Sequence, residues 1–408
     1  MPAPEEDLPG HRGGGSAGRI GGAGLKKVVF FSHSQALGGA ELSMLDIMAR
    51  IDRRGFEPAL LAPGEGPLKS RARGFGVKIL DAHIPPRLLG WQRGPFVRGL
   101  PVLPAVDSVA RLAALLRSEK PDALYTHSQK AHVLGGLAGR LAGVPVVWHA
   151  REILSQPALR QAMAALSRLL PSRIVCVSRA VSRQFGRGAG DRVAIVPNGI
   201  DAALVRRQAA AIPRQAVRRR LGLPPGAPLA GMVSRIAPGK GQNVFIEAAG
   251  KILESLPDAR FLIVGGALFG EEAYWESLRS GISRGRNAER IFFTGQLDRA
   301  LPAMNALDVM VHCPIVPEGF GRAVAEAMAL GVPVVSARGG GIPELIDDGV
   351  NGLLVEPGDA GGLSRAVIRL LSDPALRRKL AGAAMGKIES CCRMETAVAS
   401  IENALKSV

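Results

Sequence analysis

The segment that decides the fold begins with Val309-Met310-Val311-His312, continues through Pro317-Glu318-Gly319-Phe320-Gly321-Arg322-Ala323-Val324-Ala325-Glu326-Ala327-Met328-Ala329-Leu330-Gly331 and ends with Pro333-Val334-Val335-Ser336. Its apolar ends are short and rich in valine without alternation, which is typical of strands buried on both faces. Between them, proline and glycines indicate a loop, and Ala323 to Leu330 are strong helix formers that Gly331 would close. The segment therefore predicts a strand, a loop, a helix and a second parallel strand.

Two carboxylates flank the start of this predicted helix. Glu318 precedes it and Glu326 lies on its second turn, so at about 1.5 Å of rise per residue they lie on the order of 10 Å apart along the axis. The free N–H groups and the dipole at the helix start favour an anion between them. The pattern suits a ligand with phosphate in its middle and hydroxyl groups at both ends, such as a nucleotide-sugar. Two solvated charges on an ordinary helix are the alternative.

The alternation of strands and helices recurs along the chain from Lys27. The predicted strands form two series: Val28–Ser32, Ala59–Ala62, Val77–Leu80, Ala123–Thr126, Val144–Trp148, Ile174–Ser178 and Val193–Val196, and then Leu229–Val233, Phe261–Val264, Ile291–Thr294, Val309–His312, Pro333–Ser336 and Leu353–Val355. Two parallel, doubly wound α/β sheets that face each other across a cleft are the simplest architecture that fits. Ligands of such sheets bind at the carboxyl ends of the strands.

These patterns divide the chain into five parts. They are a disordered tail at 1–25, a first Rossmann-like domain at 26–203, a linker at 204–228, a second Rossmann-like domain at 229–388 and a C-terminal helical segment at 389–408. The glycines of the tail precede the first strand, whereas the glycines of a phosphate loop follow a strand. The linker combines a basic helical piece with the Pro-rich run Leu223–Pro228.

Composition indicates a globular protein of the cytoplasm. With 47% hydrophobic and 21% charged residues, a chain of 408 residues can form two or three buried cores. No apolar run reaches the roughly 18 residues that span a bilayer, and the N-terminus lacks the order of a secretory signal. The spacing of the cysteines suggests neither a zinc site nor a disulfide framework, so we expect reduced, structural thiols at Cys176, Cys313, Cys391 and Cys392.

The net charge of +17 is unevenly placed. Residues 1–250 contain 35 Lys and Arg against 16 Asp and Glu, while the remainder is close to neutral. Such a field can attract nucleic acid, an anionic membrane surface or acidic small molecules. Nucleic acid fits poorly, because only 4% of residues are aromatic and neither basic-aromatic interleaving nor zinc-finger spacing occurs. An arginine-rich composition without a single partner is the alternative.

Two further loops contain candidate ligand-binding residues. After strand Leu229–Val233, Arg235 and Lys240 stand five residues apart across a Pro-Gly turn. They can converge on a diphosphate, Arg with a planar fork and Lys as a point charge, although a solvated surface pair has the same spacing. After the first strand, Gly38 and Gly39 would let the backbone approach a ligand at a helix start, as a plain strand-to-helix turn would also do.

The motifs resemble those of the retaining glycosyltransferases of the GT-B fold, in particular family 4, from about Val28 to Gly358. In the second half the resemblance rests on Ser234-Arg235, Lys240-Gly241, Glu318-Gly319-Phe320-Gly321, Glu326-Ala327-Met328-Ala329, Gly331-Val332-Pro333-Val334-Val335, Gly340-Gly341-Ile342-Pro343-Glu344 and Asn351-Gly352-Leu353-Leu354-Val355-Glu356-Pro357-Gly358. In the first half it rests on Gly38-Gly39-Ala40-Glu41 and Pro197-Asn198-Gly199-Ile200-Asp201. Several motifs in the family's order exclude a chance match.

The resemblance implies a nucleotide-sugar donor, a UDP-sugar or a GDP-sugar, held by the second domain. Arg235 and Lys240 would bind its diphosphate and stabilise the leaving group, so that neither a metal nor another cofactor is required. Glu318 would bind hydroxyls of the sugar and Glu326 those of the ribose.

Glycines and a histidine complete the implied site. The amides of Gly319, Phe320 and Gly321 would reach the phosphate and the donor sugar, and Gly38 and Gly39 would line the contact between donor and acceptor. His149 matches the family histidine that contacts the transferred sugar and ranks above His127, although either can be a core histidine at a strand end.

The base of the donor would be selected after strand Ile291–Thr294, near Gly295 and Gln296. Retention in this family is explained by same-face attack within an ion pair, so no carboxylate nucleophile is expected.

The first domain would then bind the acceptor, a lipid-linked or glycan molecule, and the last helix would cross back to it. In Leu88–Arg98, Trp91 and Phe96 stand beside arginines, which suits a peripheral contact with anionic lipid headgroups. An ordinary loop that packs its aromatic rings on the domain fits the same residues. We therefore predict a cytoplasmic enzyme with a possible peripheral position on the membrane.

The resemblance predicts transfer of a hexose in the synthesis of a cell-surface polysaccharide or glycolipid. A non-catalytic GT-B protein that binds a membrane or an acidic polymer through its basic half is the alternative from another class. The candidate residues Arg235, Lys240, Glu318 and Glu326 argue against it. A nucleotide-sugar epimerase or a phosphorylase is a further alternative within the fold, but no motif identifies the cofactor lysine of a phosphorylase.

Overall fold

Parallel strands alternate with helices along the chain in the computed structural model, which describes residues 24–85, 88, 102–267, 270–283 and 287–408. Within these residues, seven strands form one sheet in the order β3-β2-β1-β4-β5-β6-β7, and six form a second in the order β10-β9-β8-β11-β12-β13. Every pairing in both sheets is parallel. The predicted architecture of two doubly wound α/β sheets is therefore confirmed.

The first sheet forms the core of the first domain. Its strands are β1 Lys26–Phe31, β2 Phe56–Ala62, β3 Lys78–Asp81, β4 Ala123–Thr126, β5 Val146–Ala150, β6 Arg173–Cys176 and β7 Val193–Ile195. Its helices are α1 Gly39–Arg50, α2 Pro67–Arg73, α3 Val102–Glu119, α4 Gln129–Ala142, α5 Pro157–Leu166 and α6 Arg179–Ser182. All residues of β4 and β5 are buried, as expected for central strands covered by helices on both faces.

The second sheet forms the core of the second domain. Its strands are β8 Leu229–Val233, β9 Arg260–Val264, β10 Ile291–Gly295, β11 Val309–His312, β12 Val334–Ala337 and β13 Leu353–Val355. The helices that follow β7 are α7 Ala202–Ala210, α8 Arg214–Arg220, α9 Gln242–Ser255, α10 Glu272–Ser283, α11 Leu301–Asn305, α12 Arg322–Ala329, α13 Ile342–Leu345, α14 Ala360–Ser372, α15 Pro374–Cys391 and α16 Met394–Lys406. Predicted and observed strands differ by three residues at most, at the start of β2.

The predicted linker at 204–228 is a pair of helices that pack on the second domain. Helices α7 and α8 contact α11, and α7 also contacts α12. Two arginines of α8, Arg214 and Arg218, bind the carboxylate of Asp308, with Arg218 at 3.0 Å. Asp308 therefore fixes two arginines of this basic piece to the second domain, while Arg219 and Arg220 are exposed.

The chain returns to the first domain near its C-terminus. Helix α15 continues to Cys391, so the predicted boundary at 389 falls inside this helix. The next residues cross over, with the Ile200 amide donating to the Cys392 carbonyl at 2.7 Å. Helix α16 then packs on the first sheet, where Ile401 and Leu405 are buried in the same cluster as residues of β1 and β6.

Further sequence predictions concern the N-terminal tail, two aromatic residues, the cysteines and membrane-spanning segments. Residues 1–23 of the predicted tail at 1–25, and the aromatic residues Trp91 and Phe96, lie outside the described residues. Cys176, Cys313 and Cys392 are buried, Cys391 is exposed, and all four are free thiols. Among the described helices, none combines the length and apolarity that a bilayer span requires.

Candidate active site

The predicted donor-binding residues of the second domain lie in loops at the carboxyl ends of β8 and β11. Arg235 follows β8, and Lys240 ends a short 3-10 turn at Pro238–Lys240. The Gln242 side chain, fully buried, donates to the Arg235 carbonyl at 2.9 Å, while the Cys313 thiol donates to the Gly241 carbonyl at 3.2 Å. These bonds fasten the cationic loop to the end of β11.

Lys240 and Glu318 form a direct ion pair in the ligand-free protein. The other carboxylate oxygen of Glu318 lies 3.7 Å from Nε2 of His312. Burial raises the pKa of Glu318, but His312, Lys240 and Arg235 outweigh this effect, so its net pKa lies below the ordinary value. The structure thus brings three predicted residues, Arg235, Lys240 and Glu318, into one electrostatic cluster.

The glycine loop after Glu318 joins the two domains. The Ser178 hydroxyl of the first domain donates to the Gly319 carbonyl at 2.6 Å. Gly321 has a left-handed φ of +89° and caps the start of α12, and Phe320 is buried. Within the described part of the chain, no acceptor is bonded to the amides of Phe320 and Gly321. These amides are available to an anion at the start of the helix.

The glycine turn Gly339–Gly341 supports this loop from behind. The Gly341 amide donates to the Glu318 carbonyl at 2.8 Å. A Cβ atom on Gly340 or Gly341 would lie well under 3.0 Å from backbone atoms of the Glu318 loop. These close approaches explain why side chains are excluded from the turn.

We expect Gly340→Ala to destabilise the protein by at least about 2 kcal/mol. Gly340 has a φ of +58°, which costs an L-residue about 1–2 kcal/mol, and its Cβ would also collide with the Glu318 backbone. Urea unfolding measures the change. Gly349→Ala is the matched control, because Gly349 has a φ of +73° but no neighbour within 4 Å of its Cβ position. Equal losses in both variants would contradict the predicted collision.

Glu326 lies on the second turn of α12, as predicted, but it is not a solvated charge. Its carboxylate accepts a hydrogen bond from Nε of Arg322 at 2.8 Å. The same guanidinium binds Asp46 of α1, in the first domain, at 2.9 Å. Burial lowers the pKa of Arg322, but the two carboxylates outweigh it and the net pKa is raised. Glu326 therefore belongs to an ion network that crosses between the domains.

His149 is the penultimate residue of β5 and is buried, rather than following the strand end as the predicted strand Val144–Trp148 implied. Its Nδ1 lies 3.0 Å from the Tyr125 hydroxyl. Burial, followed by the charge of Arg151, holds the pKa of His149 well below its usual value, so the ring is neutral. His127 packs edge-on against it at 4.9 Å between ring centroids. Neither ring nitrogen of His127 has a hydrogen-bond partner among the described residues.

Gly38 and Gly39, predicted at the start of α1, and Gly295, predicted at the end of β10, lie in turns at the edges of the sheets. Gly38 caps α1, and its amide donates to the buried carboxylate of Glu41 at 3.1 Å. Gly39 has no atom within 4 Å of its Cβ position. The carbonyl of Gly295, a residue with a φ of +68°, accepts from the Gly265 amide at 3.1 Å. Gly265 in turn lies against the backbone of Ser234 and Arg235. The structure thus places Gly295 one backbone layer from the cationic loop.

Sequence reasoning missed four charged residues that face this site, namely Asp46, Arg151, Arg322 and Glu344. The Glu344 carboxylate accepts from the amides of Arg179 and Ala180, each at 2.9 Å, and so caps α6 across the domains. The sequence does contain a signal for Arg322. A cation at the first position of a helix is disfavoured by the helix dipole, so its presence there indicates an anionic partner. The partners of Asp46 and Glu344 are distant in sequence, and no local pattern indicates them.

The arrangement can hold a phosphorylated ligand between two domains. It offers two cations and free amides on one side and a neutral histidine on the other, with carboxylates able to bind hydroxyl groups. No group of three or more His, Cys, Asp or Glu side chains in the described ranges is spaced to hold a metal ion.

Two family models match this chain in succession. The model described as Glycosyltransferase Family 4 matches residues 37–204, and the model described as Glycosyl transferases group 1 matches residues 213–386. The boundary between them falls in the helical connection after β7.

Relatives and a solved structure match most of the chain. A 2-deoxystreptamine N-acetyl-D-glucosaminyltransferase of Streptomyces fradiae is 29% identical over 88% of this chain and 91% of its own. A UDP-Gal:alpha-D-GlcNAc-diphosphoundecaprenol alpha-1,3-galactosyltransferase of Escherichia coli is 28% identical over 68% of this chain and 74% of its own. The structure of Anabaena Alr3699/HepE in complex with UDP and glucose matches with a TM-score of 0.80 and 27% identity over 94% of this chain and 100% of that chain.

Proposed function

Since this chain belongs to the group 1 glycosyltransferases of the GT-B fold, we propose that it transfers a hexose from a nucleoside-diphosphate sugar to a lipid-linked or glycan acceptor, with retention of the anomeric configuration. The product would be part of a cell-surface polysaccharide or glycolipid. The cluster of Arg235, Lys240 and Glu318 beside the free amides of the glycine loop is the observation that supports this proposal most directly. It matches the charge of a diphosphate next to a sugar.

In the proposed reaction the bond between the anomeric carbon and the distal phosphate oxygen breaks first. Its electron pair stays on that oxygen, where Lys240, Arg235 and the loop amides would stabilise the developing charge. The acceptor hydroxyl then attacks the same face of the sugar, and its proton passes to the departing phosphate oxygen. No protein nucleophile is needed, and His149, being neutral, can bind a sugar hydroxyl without contributing a charge.

Glu318 has a double role in this proposal. In the ligand-free protein it holds the Lys240 ammonium at the start of the glycine loop. Its lowered pKa keeps the carboxylate ionised at neutral pH, so it can also accept hydrogen bonds from hydroxyl groups of the donor sugar. Glu326 retains one carboxylate oxygen that Arg322 does not occupy, and we assign it to the ribose.

The comparisons support a choice of substrates within the proposal. The HepE structure contains UDP and glucose, which supports a UDP-sugar as donor. The Escherichia coli relative acts on a sugar linked to diphosphoundecaprenol, which supports a lipid-linked acceptor. With such an acceptor the enzyme would work at the cytoplasmic face of a membrane.

A calorimetric titration with UDP, GDP and ADP tests the donor site. We expect one nucleotide, UDP, to bind and Lys240→Ala to weaken that binding at least tenfold, which corresponds to the loss of one charged hydrogen bond. Lys251→Ala is the matched control, because Lys251 lies in the same domain, exposed on α9. Failure of all three nucleotides to bind, together with binding to anionic vesicles, would instead favour the non-catalytic alternative.

A further inference from the structure

Arg151 is a cation at the junction of the domains, and no carboxylate of the described residues forms an ion pair with it. It follows β5 by one residue, two positions after His149, and its side chain is half-buried. Its guanidinium donates to Oδ1 of Asn198 at 2.5 Å, and that oxygen also accepts from the Ser43 hydroxyl at 3.3 Å. Among the described residues, no Asp or Glu oxygen lies within ion-pair distance of it.

One nitrogen of Arg151 rests on the imidazole ring of His149. It lies 3.4 Å from Nδ1 and 3.2 Å from Nε2. This terminal nitrogen therefore directs an N–H at the ring nitrogens, and the other terminal nitrogen uses one N–H on Asn198. Of the five N–H donors of the guanidinium, the others have no acceptor among the described residues and can bind a ligand.

The backbone of Arg151 touches the donor-binding loop of the other domain. A Cβ atom on Gly319 would lie well under 3.0 Å from the Arg151 carbonyl. The residue therefore bridges the histidine of the first domain and the loop that follows Glu318. A sugar that contacts both this histidine and this loop therefore lies close to the Arg151 guanidinium.

The charges around Arg151 come from three further elements. Burial lowers its pKa to about 10, with Arg322 adding to the shift, while Tyr125, Glu41 and Asp46 partly oppose it. Asp46 is already bound to Arg322 at 2.9 Å, and Glu41 caps α1. A partly desolvated cation without a contacting anion is unfavourable, and a charged group of this kind in a cleft is a candidate for ligand binding.

We propose that Arg151 binds an anionic substituent, a carboxylate or a phosphate, on one of the two sugars that meet at this junction. This inference rests on the proposed function and specifies its substrate class: either the transferred hexose is a uronate, or the acceptor sugar carries a phosphate. The diphosphate of the donor is a different group, because Arg235 and Lys240 of the second domain face it. Arg151 acts in binding and recognition and takes no part in bond cleavage.

Two matched pairs of ligands distinguish the donor from the acceptor as the source of the anion. UDP-glucuronate against UDP-glucose tests the donor, and glucose 6-phosphate against glucose, each added with saturating UDP, tests the acceptor. We expect the wild-type protein to bind the charged member at least tenfold more tightly in one pair. Arg151→Gln should abolish that preference, and Arg151→Lys should retain part of it.

Binding of UDP itself serves as the reference in every variant. It should be unchanged in Arg151→Gln, which shows that the variant is folded, and in Arg140→Gln, an exposed arginine of the same domain that serves as control. No charge preference in either pair, or a preference that survives in Arg151→Gln, would overturn the role of Arg151. If the wild-type protein does not bind UDP, the donor site itself is refuted. Failure of the proposed function can therefore be told apart from failure of the Arg151 proposal.

Discussion

Lys240→Ala should reduce sugar transfer by about 100- to 1,000-fold, because removal of one group that stabilises a developing oxyanion has effects of that size. Lys240 lies at the start of the glycine loop, held there by its ion pair with Glu318. The bond that breaks leaves its charge on the distal phosphate, which the ammonium would contact. Initial rates of UDP release in the presence of acceptor measure the loss, with Lys251→Ala as the control that should retain full activity.

A second variant separates this chemical role from a structural one. Lys240→Ala leaves the half-buried Glu318 carboxylate without its ammonium, which also destabilises the protein. In the double variant Lys240→Ala/Glu318→Gln the unpaired charge is absent, so stability should recover while transfer stays low. If the double variant recovered transfer as well, Lys240 would serve only to neutralise Glu318, and its assignment to the leaving group would be wrong.

Acidification from pH 7 to pH 5.5 should reduce the free energy of unfolding by about 1 kcal/mol for each histidine that stays neutral in the fold. Burial holds the pKa of His127 and His149 well below its usual value and lowers that of His132 to about 3, so these three rings stay neutral in the fold. Below about pH 6.5 the unfolded chain binds protons at these three positions and the folded chain does not. Stability therefore falls as the pH falls, by about 3 kcal/mol in total.

Urea unfolding at pH 7.0, 6.5, 6.0 and 5.5 measures this dependence. His127→Gln should remove about a third of it, because that imidazole titrates only in the unfolded chain. His83→Gln, which changes an exposed histidine, controls for the loss of a histidine as such. A free energy of unfolding that stays constant over this range would mean that the three rings are accessible to protons in the folded state.

Much of the fold was predictable from local pattern because parallel strands buried on both faces read as continuous apolar runs. β4, β8, β11 and β13 have the predicted bounds, and β12 is shifted by one residue. The predicted helix after Glu318 also begins within one residue of α12. Where the pattern was less regular, in the basic connection at 204–228, the helices were recognised only in part and their packing on the second domain was missed.

The candidate site was predictable to the extent that each motif follows a strand, since carboxyl ends of parallel strands share one edge of the sheet. The loops with Lys240 and Glu318 therefore had to lie near each other, and they form an ion pair. Contacts between the domains could not be predicted from the sequence. Asp46 binds Arg322 at a separation of 276 residues, and Arg151 meets the glycine loop through a carbonyl that carries no sequence signal.

We propose that this site cleaves a nucleotide-sugar and retains the configuration at the anomeric carbon. Time-resolved proton NMR of UDP-glucose hydrolysis by the wild-type protein, with water in place of the acceptor, measures both, since the anomeric proton reports configuration before the released glucose equilibrates. We predict that UDP and sugar appear in equal amounts, that the α-anomer of the donor appears first in the product, and that Lys240→Ala shows neither. Appearance of the β-anomer first would show inversion, and release of UDP at the same rate in Lys240→Ala would show that Lys240 does not assist the departure of UDP.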